Sequence, residues 1–248
     1  ILGFLIFDRS TRAVELTPEG AVFLSQLRPA FRDLERAIDI AESAARRKTT
    51  GLIIGYTPWI DPLILQAAAI ATHQQHSISV NLLSDFSPRQ VARVLAGELD
   101  AGIVMLPVSV AGVAIEEVGA LPLSLALPTR VLGKRKVLSL DVMTGQTFVR
   151  VGRSINPDFS EWMLQRLYDA GAAPRDIRDA ATTVEALQLV AAGMGIALVN
   201  ARMEESFLKG VTFCRPTGGL AVPIAVLYRL GCGAEPLNTF VQCVRASL

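Results

Sequence analysis

TPEGAVFLSQLRPAFRDLERAIDIAESAARRK, residues Thr17 to Lys48, decides how the rest of the chain is read. Leu24, Leu27, Phe31, Leu34, Ile38, Ala41 and Ala45 recur at steps of three and four, which draws one apolar seam along a long helix. The other faces carry Arg28, Arg32, Asp33, Glu35, Arg36, Asp39, Glu42, Arg46 and Arg47, too many charges for a helix surrounded by core. A wet helix with one dry seam needs a partner helix. Leu24, Leu27, Phe31, Leu34 and Ile38 are therefore the expected dimerisation residues. Thr17 suits the N-cap and Pro18 the first helical position. Pro29 removes one backbone hydrogen bond and predicts a kink near Gln26.

Upstream, Leu5 to Phe7 and Ala13 to Leu16 read as short strands around a polar turn, Asp8-Arg9-Ser10-Thr11-Arg12. A basic hairpin tip leading into a helix start suits the wing of a winged helix, with Arg9 and Arg12 meeting DNA phosphates or a minor groove. The sequence opens Ile1-Leu2-Gly3 without an initiator Met, so further N-terminal residues are expected to be missing.

Downstream, from Gly51, short apolar strands alternate with helices. Leu52 to Tyr56 is a continuous apolar run, as in a parallel strand covered on both faces. Asp61-Pro62 opens a helix to His73; Ile78, Val80 and Leu82 mark a second strand; Ser87-Pro88 opens a helix that stops at Gly97; Leu99 to Met105 is a third strand. The pattern then repeats. Thr147 to Val151 is a strand, Asn156-Pro157 opens a helix to Gly171, Ile177 lies in a strand, and Thr182 with Glu185 makes a capping box before the strand Ile196 to Val199. Two βαβαβ lobes follow one another. Ligands of open α/β sheets sit beyond the carboxyl ends of the strands. Helix starts at Asp61, Ser87, Asn156 and Thr182 are thus expected at one cleft, where unpaired N–H groups favour an anion such as a carboxylate. Trp59 and Phe86, in the first two strand-to-helix loops, can stack on a ring, and Arg150 and Arg153 can add a charged grip.

At 248 residues, 51% apolar and net charge +1, the chain is long enough for two lobes and an extension, and its charge names no partner. The uncharged stretch Ala101 to Ile115 is shorter than the ~20 residues of a spanning helix and contains Pro107 and Gly112, so no membrane helix is expected. Cys214, Cys232 and Cys243 are odd in number and far apart. They read as apolar residues of a cytoplasmic protein, with a redox role for Cys214 or Cys232 left open. His73 and His76 lack further ligands nearby and read as solvated helix-end residues, so neither metal nor other cofactor is expected.

The run Leu2-Gly3, Leu5-Ile6-Phe7, Arg9, Arg12, Val14, Leu16-Thr17-Pro18, Gly20 and Phe23 resembles the LysR-type transcriptional regulators, from the end of the recognition helix through the wing into the linker helix. The resemblance continues through Gly97-Glu98-Leu99-Asp100-Ala101-Gly102-Ile103 and Val190 to Val199. The family's base-reading helix-turn-helix residues have no counterpart here. The resemblance implies an α/β fold: a two-lobed, type 2 periplasmic-binding-protein-like effector domain preceded by a long linker helix and the remnant of a winged helix-turn-helix. Its segments would be residues 1–17 for the wing, 18–48 for the linker, 49–123 plus 228–248 for lobe I and 124–227 for lobe II. The lobes would be joined by crossings near Leu121 to Pro128 and Ile224 to Arg229, with Pro236 to Leu248 returning to lobe I as a helix. The resemblance brings forward Thr57, Trp59, Ser87, Arg150 and Thr182 as effector contacts, and Asn156-Pro157-Asp158-Phe159 is similar to members that sense intermediates of aromatic degradation. It further implies promoter DNA and a homodimer or homotetramer as partners.

Two other classes compete. An enzyme would need a motif the chain lacks: there is no Gly-x-Ser-x-Gly, no phosphate-loop Gly-Lys-Ser/Thr, and Gly193-Met194-Gly195 follows a helix rather than a strand. A transport-type solute-binding protein would share the two lobes but leaves the Arg9/Arg12 hairpin and the seamed helix without a purpose.

Overall fold

The computed structural model describes residues 2–9, 14–132, 137–153, 155–205, 209–233 and 235–248, and the chain divides into two compact units, Ile1–Thr49 and Thr50–Leu248.

In the first unit, β1 (Phe7–Arg9) and β2 (Val14–Leu16) form an antiparallel hairpin in which Phe7 faces Leu16 and Arg9 faces Val14. The first strand thus lies two residues later than the Leu5 to Phe7 that the sequence suggested, taking Asp8 and Arg9 out of the turn, because both pair with the Val14–Glu15 backbone. Arg12 lies outside the described residues, as does the side chain of Arg9. The helix α1 (Pro18–Thr50) runs on through Pro29. Thr17 caps it: its Oγ1 accepts the Gly20 N–H at 2.9 Å and donates to the Leu5 carbonyl at 2.6 Å, while its own N–H donates to the Ile6 carbonyl at 3.0 Å. Gly20 is required where it stands, since a Cβ there would lie 2.1 Å from the Ile6 carbonyl oxygen. Along the seam Leu24 and Leu27 are half-buried, whereas Phe31, Leu34 and Ile38 are each at least 50% exposed, so within one chain the seam is largely uncovered.

The second unit is built as the alternation of its sequence predicts. In lobe I, β3 (Leu52–Tyr56), α2 (Pro62–His76), β4 (Val80–Ser84), α3 (Ser87–Leu95) and β5 (Ala101–Met105) give a parallel sheet with order β4-β3-β5. The strand β6 (Val113–Pro128) then carries the chain into lobe II through the short α4 (Thr129–Leu132) and β7 (Val137–Leu138). Lobe II repeats the plan with β8 (Thr147–Val151), α5 (Pro157–Asp169), β9 (Asp176–Ala180), α6 (Thr183–Ala191) and β10 (Ile196–Asn200), followed by β11 (Val211–Pro216). The chain returns through β12 (Ala221–Arg229) and ends in α7 (Glu235–Ser247).

One long strand joins the lobes because it serves both sheets. Val113 to Pro122 of β6 pair with β12, and from Leu123 onward the same strand pairs with β10 and β11. The return crossing lies beside it: the Leu123 N–H donates to the Leu220 carbonyl, and β12 pairs with β5 from Ile224. The expected second crossing at Ile224 to Arg229 is therefore part of the lobe I sheet, and the chain changes lobes near Leu220. The apolar pattern of Ile224 to Arg229 reflects a central strand of lobe I, not a bridge. Leu121, Leu123 and Val222 make one core continuous across the junction, from Leu52 and Phe240 to Phe148 and Leu198. The returning α7 packs on α2, where His76 Nε2 and Thr239 Oγ1 lie 2.8 Å apart, so His76 is half-buried rather than solvated. Among the described residues no helix is long and apolar enough to cross a membrane.

Candidate functional site

Three helices begin around one cavity of about 250 Å³ at the carboxyl ends of the strands. Lobe I contributes Trp59, Phe86 and Met105; lobe II contributes Val151, Asn156, Phe159 and Thr182. At α5 the Asn156 Oδ1 accepts the Phe159 N–H at 3.3 Å. At α6 the Thr182 Oγ1 accepts the Glu185 N–H at 3.1 Å, and Glu185 returns a bond to the Ala181 N–H, so the capping box closes one residue early.

The third helix start departs from the sequence reading. Phe86, not Ser87, occupies the N-cap of α3, and it has no hydrogen-bonding side chain. Ser87 is the first helical residue, almost fully buried, and its Oγ accepts the Met105 N–H at 3.1 Å. It ties α3 to the end of β5 and leaves the α3 N-terminus uncapped beside the cavity. Asp85 orders this loop: Oδ1 accepts the Phe86 N–H at 2.9 Å and Arg93 reaches Oδ2 at 3.4 Å.

The predicted residues thus separate into two groups. Trp59, Phe86 and Thr182 line the cavity, whereas Thr57, Ser87, Arg150 and Arg153 do not. Thr57 is fully buried, with its N–H bonded to the Ile103 carbonyl and its Oγ1 3.5 Å from the Trp59 N–H, and it shapes the turn that presents Trp59. Arg150 is 5% exposed and sits directly across from Asp179 in the β8–β9 register, with two hydrogen bonds at 2.7 and 3.1 Å. A bidentate pair of this kind uses up the guanidinium fork, so the expected anion grip is spent inside lobe II. The Arg150 hydrogen bond, aided by the charges of Arg150 and Arg153, holds the Asp179 carboxyl below its ordinary range against the opposing effect of burial. Arg153 is exposed.

Several residues around the site were not among the expected effector contacts. The Phe159 ring meets Trp59 edge-on across the lobes at 5.6 Å and stacks on Trp162 at 5.8 Å, and Arg166 lies over Trp162 at 5.5 Å. The apolar positions of α5 carried that signal, but a third-position Phe in a helix reads equally as core. Asn200 donates to the Trp59 carbonyl and Arg202 pairs with Asp61, so the first strand-to-helix loop of lobe I is fastened to lobe II. The Asp61 cap lines an adjoining space of about 190 Å³ that shares Trp59 with the first, not the cavity of the other three helix starts. Among the described residues no cluster of three or more His, Cys, Asp or Glu side chains is arranged for a metal.

The fold and the cleft define a two-lobed sensor domain of the periplasmic-binding-protein type. The family model described as LysR substrate binding domain matches residues 47–248. TcbR, an HTH-type transcriptional regulator of a Pseudomonas species, is 29% identical over 255 residues, covering 99% of this chain and 85% of that protein. Full-length CbnR, solved in complex with its target DNA, superposes with a TM-score of 0.65 at 26% identity, covering 99% of this chain and 85% of that one. The BenM effector-binding domain, solved with its effector benzoate, shares the fold with a TM-score of 0.67 at 20% identity, covering 79% of this chain and 90% of that one. The chain belongs to the LysR family of transcriptional regulators, with the effector-sensing domain in residues 47–248. These relatives leave the transport-protein alternative without support.

Proposed function

We propose that this regulator senses a small carboxylate bound between its lobes, and that the ligand changes lobe closure and so the geometry of an oligomer on promoter DNA. One observation carries the reading: three helix N-termini from both lobes meet at a cavity walled by Trp59, Phe86 and Phe159. Helix N-termini favour an anion and aromatic walls favour a ring. The ligand of BenM, benzoate, has both features. In this reading Trp59 and Phe86 hold the ring and Thr182 helps to hold the carboxylate, with Thr57 and Ser87 supporting them from behind. In the same reading Arg9 and Arg12 of the hairpin approach DNA; full-length CbnR, a family relative, is solved in complex with its target DNA. The exposed seam of Phe31, Leu34 and Ile38 supports pairing of α1 with the same helix of a second chain.

A thermal-shift screen of aromatic carboxylates on the wild type, Phe86→Ala and Thr182→Ala tests the site. The acid that most stabilises the wild type should lose most of its shift in both variants. Equal shifts in all three proteins would move the site elsewhere.

A further inference from the structure

The cavity wall contains one polar side chain whose hydrogen bonding the fold leaves unfinished. Asn156 is 7% exposed and lines the cavity. Its Oδ1 is held by the Phe159 N–H, which fixes the amide, and its Nδ2 is buried without a partner among the described residues. Capping asks only for an acceptor, which Asp, Ser or Thr would also supply; Thr182 does this for α6. The amide therefore adds a donor that the helix does not need, and a buried donor of this kind calls for a partner that the described residues do not supply.

The rest of the wall sets what that partner can be. Trp59, Phe86, Met105, Val151 and Phe159 are apolar or aromatic, and none of the lining side chains carries a charge. Arg150, the buried cation of this lobe's central strands, is committed to Asp179. At about 250 Å³ the cavity falls below the roughly 300–1,000 Å³ usual for drug-sized ligands.

We propose that Asn156 determines specificity and that the cavity takes a planar monocarboxylate of single-ring size. Its carboxylate accepts from Asn156 Nδ2 beside the α5 and α6 N-termini, and its far end is uncharged. This rests on the carboxylate reading above. A second carboxylate would be buried against Trp59, Phe86 and Met105 without a compensating cation, so dicarboxylates are excluded.

The two tryptophans of the chain, Trp59 and Trp162, belong to the aromatic cluster at this cavity, so their emission reports occupancy. Benzoate, terephthalate and benzamide are titrated into the wild type, Asn156→Asp and Asn156→Ser. The wild type should bind benzoate at least about tenfold more tightly than terephthalate. Asn156→Asp keeps an acceptor for the Phe159 N–H while exchanging the donor for a carboxylate. It should weaken benzoate by about tenfold or more and reverse the preference toward benzamide, whose own N–H can donate to the new carboxylate. Asn156→Ser, which also caps, should weaken benzoate and serves as the readout if the Asp variant does not fold. Unchanged benzoate affinity in the folded variants, or terephthalate binding as tightly as benzoate, overturns the proposal. If no acid binds the wild type, the carboxylate reading of the cavity falls first and takes this one with it.

Discussion

Asn200, the last residue of β10, donates through Nδ2 to the carbonyl oxygen of Trp59, a residue that lines both spaces of the cleft. Its Oδ1 accepts the Arg202 N–H at 3.0 Å, so one buried amide fixes both a lobe I loop and the start of the segment that pairs with Asp61. Asn200→Ala should lower stability by about 1–2 kcal/mol and the melting temperature by roughly 2–8 °C. It should also shift tryptophan emission, because Trp59 loses its backbone anchor. Calorimetry and emission spectra check both effects.

Gly20 couples the hairpin to α1 by leaving room for the Ile6 carbonyl. Alanine is the better helix former by about 1 kcal/mol, yet here its methyl group would displace the hairpin. Gly20→Ala should increase hydrogen exchange and protease cleavage around residues 5–9 and leave the melting of residues 50–248 unchanged. Unaltered exchange in the hairpin would show that the joint tolerates the methyl group.

Leu34 and Ile38 test the seam. Replacing both with Asp places two carboxylates between paired helices, which should shift the protein toward monomer at micromolar concentration in sedimentation velocity. The sensing domain, whose core lies elsewhere, should melt as before.

Arg150 and Asp179 test the ion pair. Asp179→Asn leaves a nearly buried guanidinium with Glu161 at 3.9 Å as its remaining ion-pair partner among the described residues, and should cost about 1–2 kcal/mol, reduced from the fully buried case because Asp179 is half exposed. The acid-side behaviour follows from the depressed carboxyl. Its stabilisation is complete above the ordinary value of 3.8 and is lost as pH falls through the lower folded value, so this contribution is flat at neutral pH and declines below about pH 4. Asp179→Asn should lose that part of the acid slope in denaturation curves.

Cys214 tests the redox question. Burial, and then the nearby Glu204 carboxylate, push its thiol above the ordinary value of 9.0, which disfavours the reactive thiolate. A maleimide reagent at neutral pH should label Cys214 only after denaturation, with mass spectrometry identifying the site. Rapid labelling of the native protein would reopen a redox role.

Much of this architecture is legible in local signals. Asp61-Pro62, Asn156-Pro157 and the Thr182/Glu185 box mark helix starts because a cap and a Pro at the first turn act over a few residues. The seam of α1 is legible for the same reason, since its period lies within one element. Long-range pairing is not. Ser87 resembles a cap until the end of β5 arrives to take its hydroxyl, and Arg150 resembles a ligand grip until β9 places Asp179 opposite it. Phe159 and Asn200 join the site only when the lobes face each other, and an apolar run such as Ile224 to Arg229 carries no mark that says which sheet it joins.

The most direct test is a crystal structure of the chain with the carboxylate that gives the largest thermal shift. The account predicts that acid between Trp59, Phe86 and Phe159, its carboxylate facing Asn156 and Thr182. An acid bound on another surface, with the cleft empty or filled by its own side chains, would contradict it.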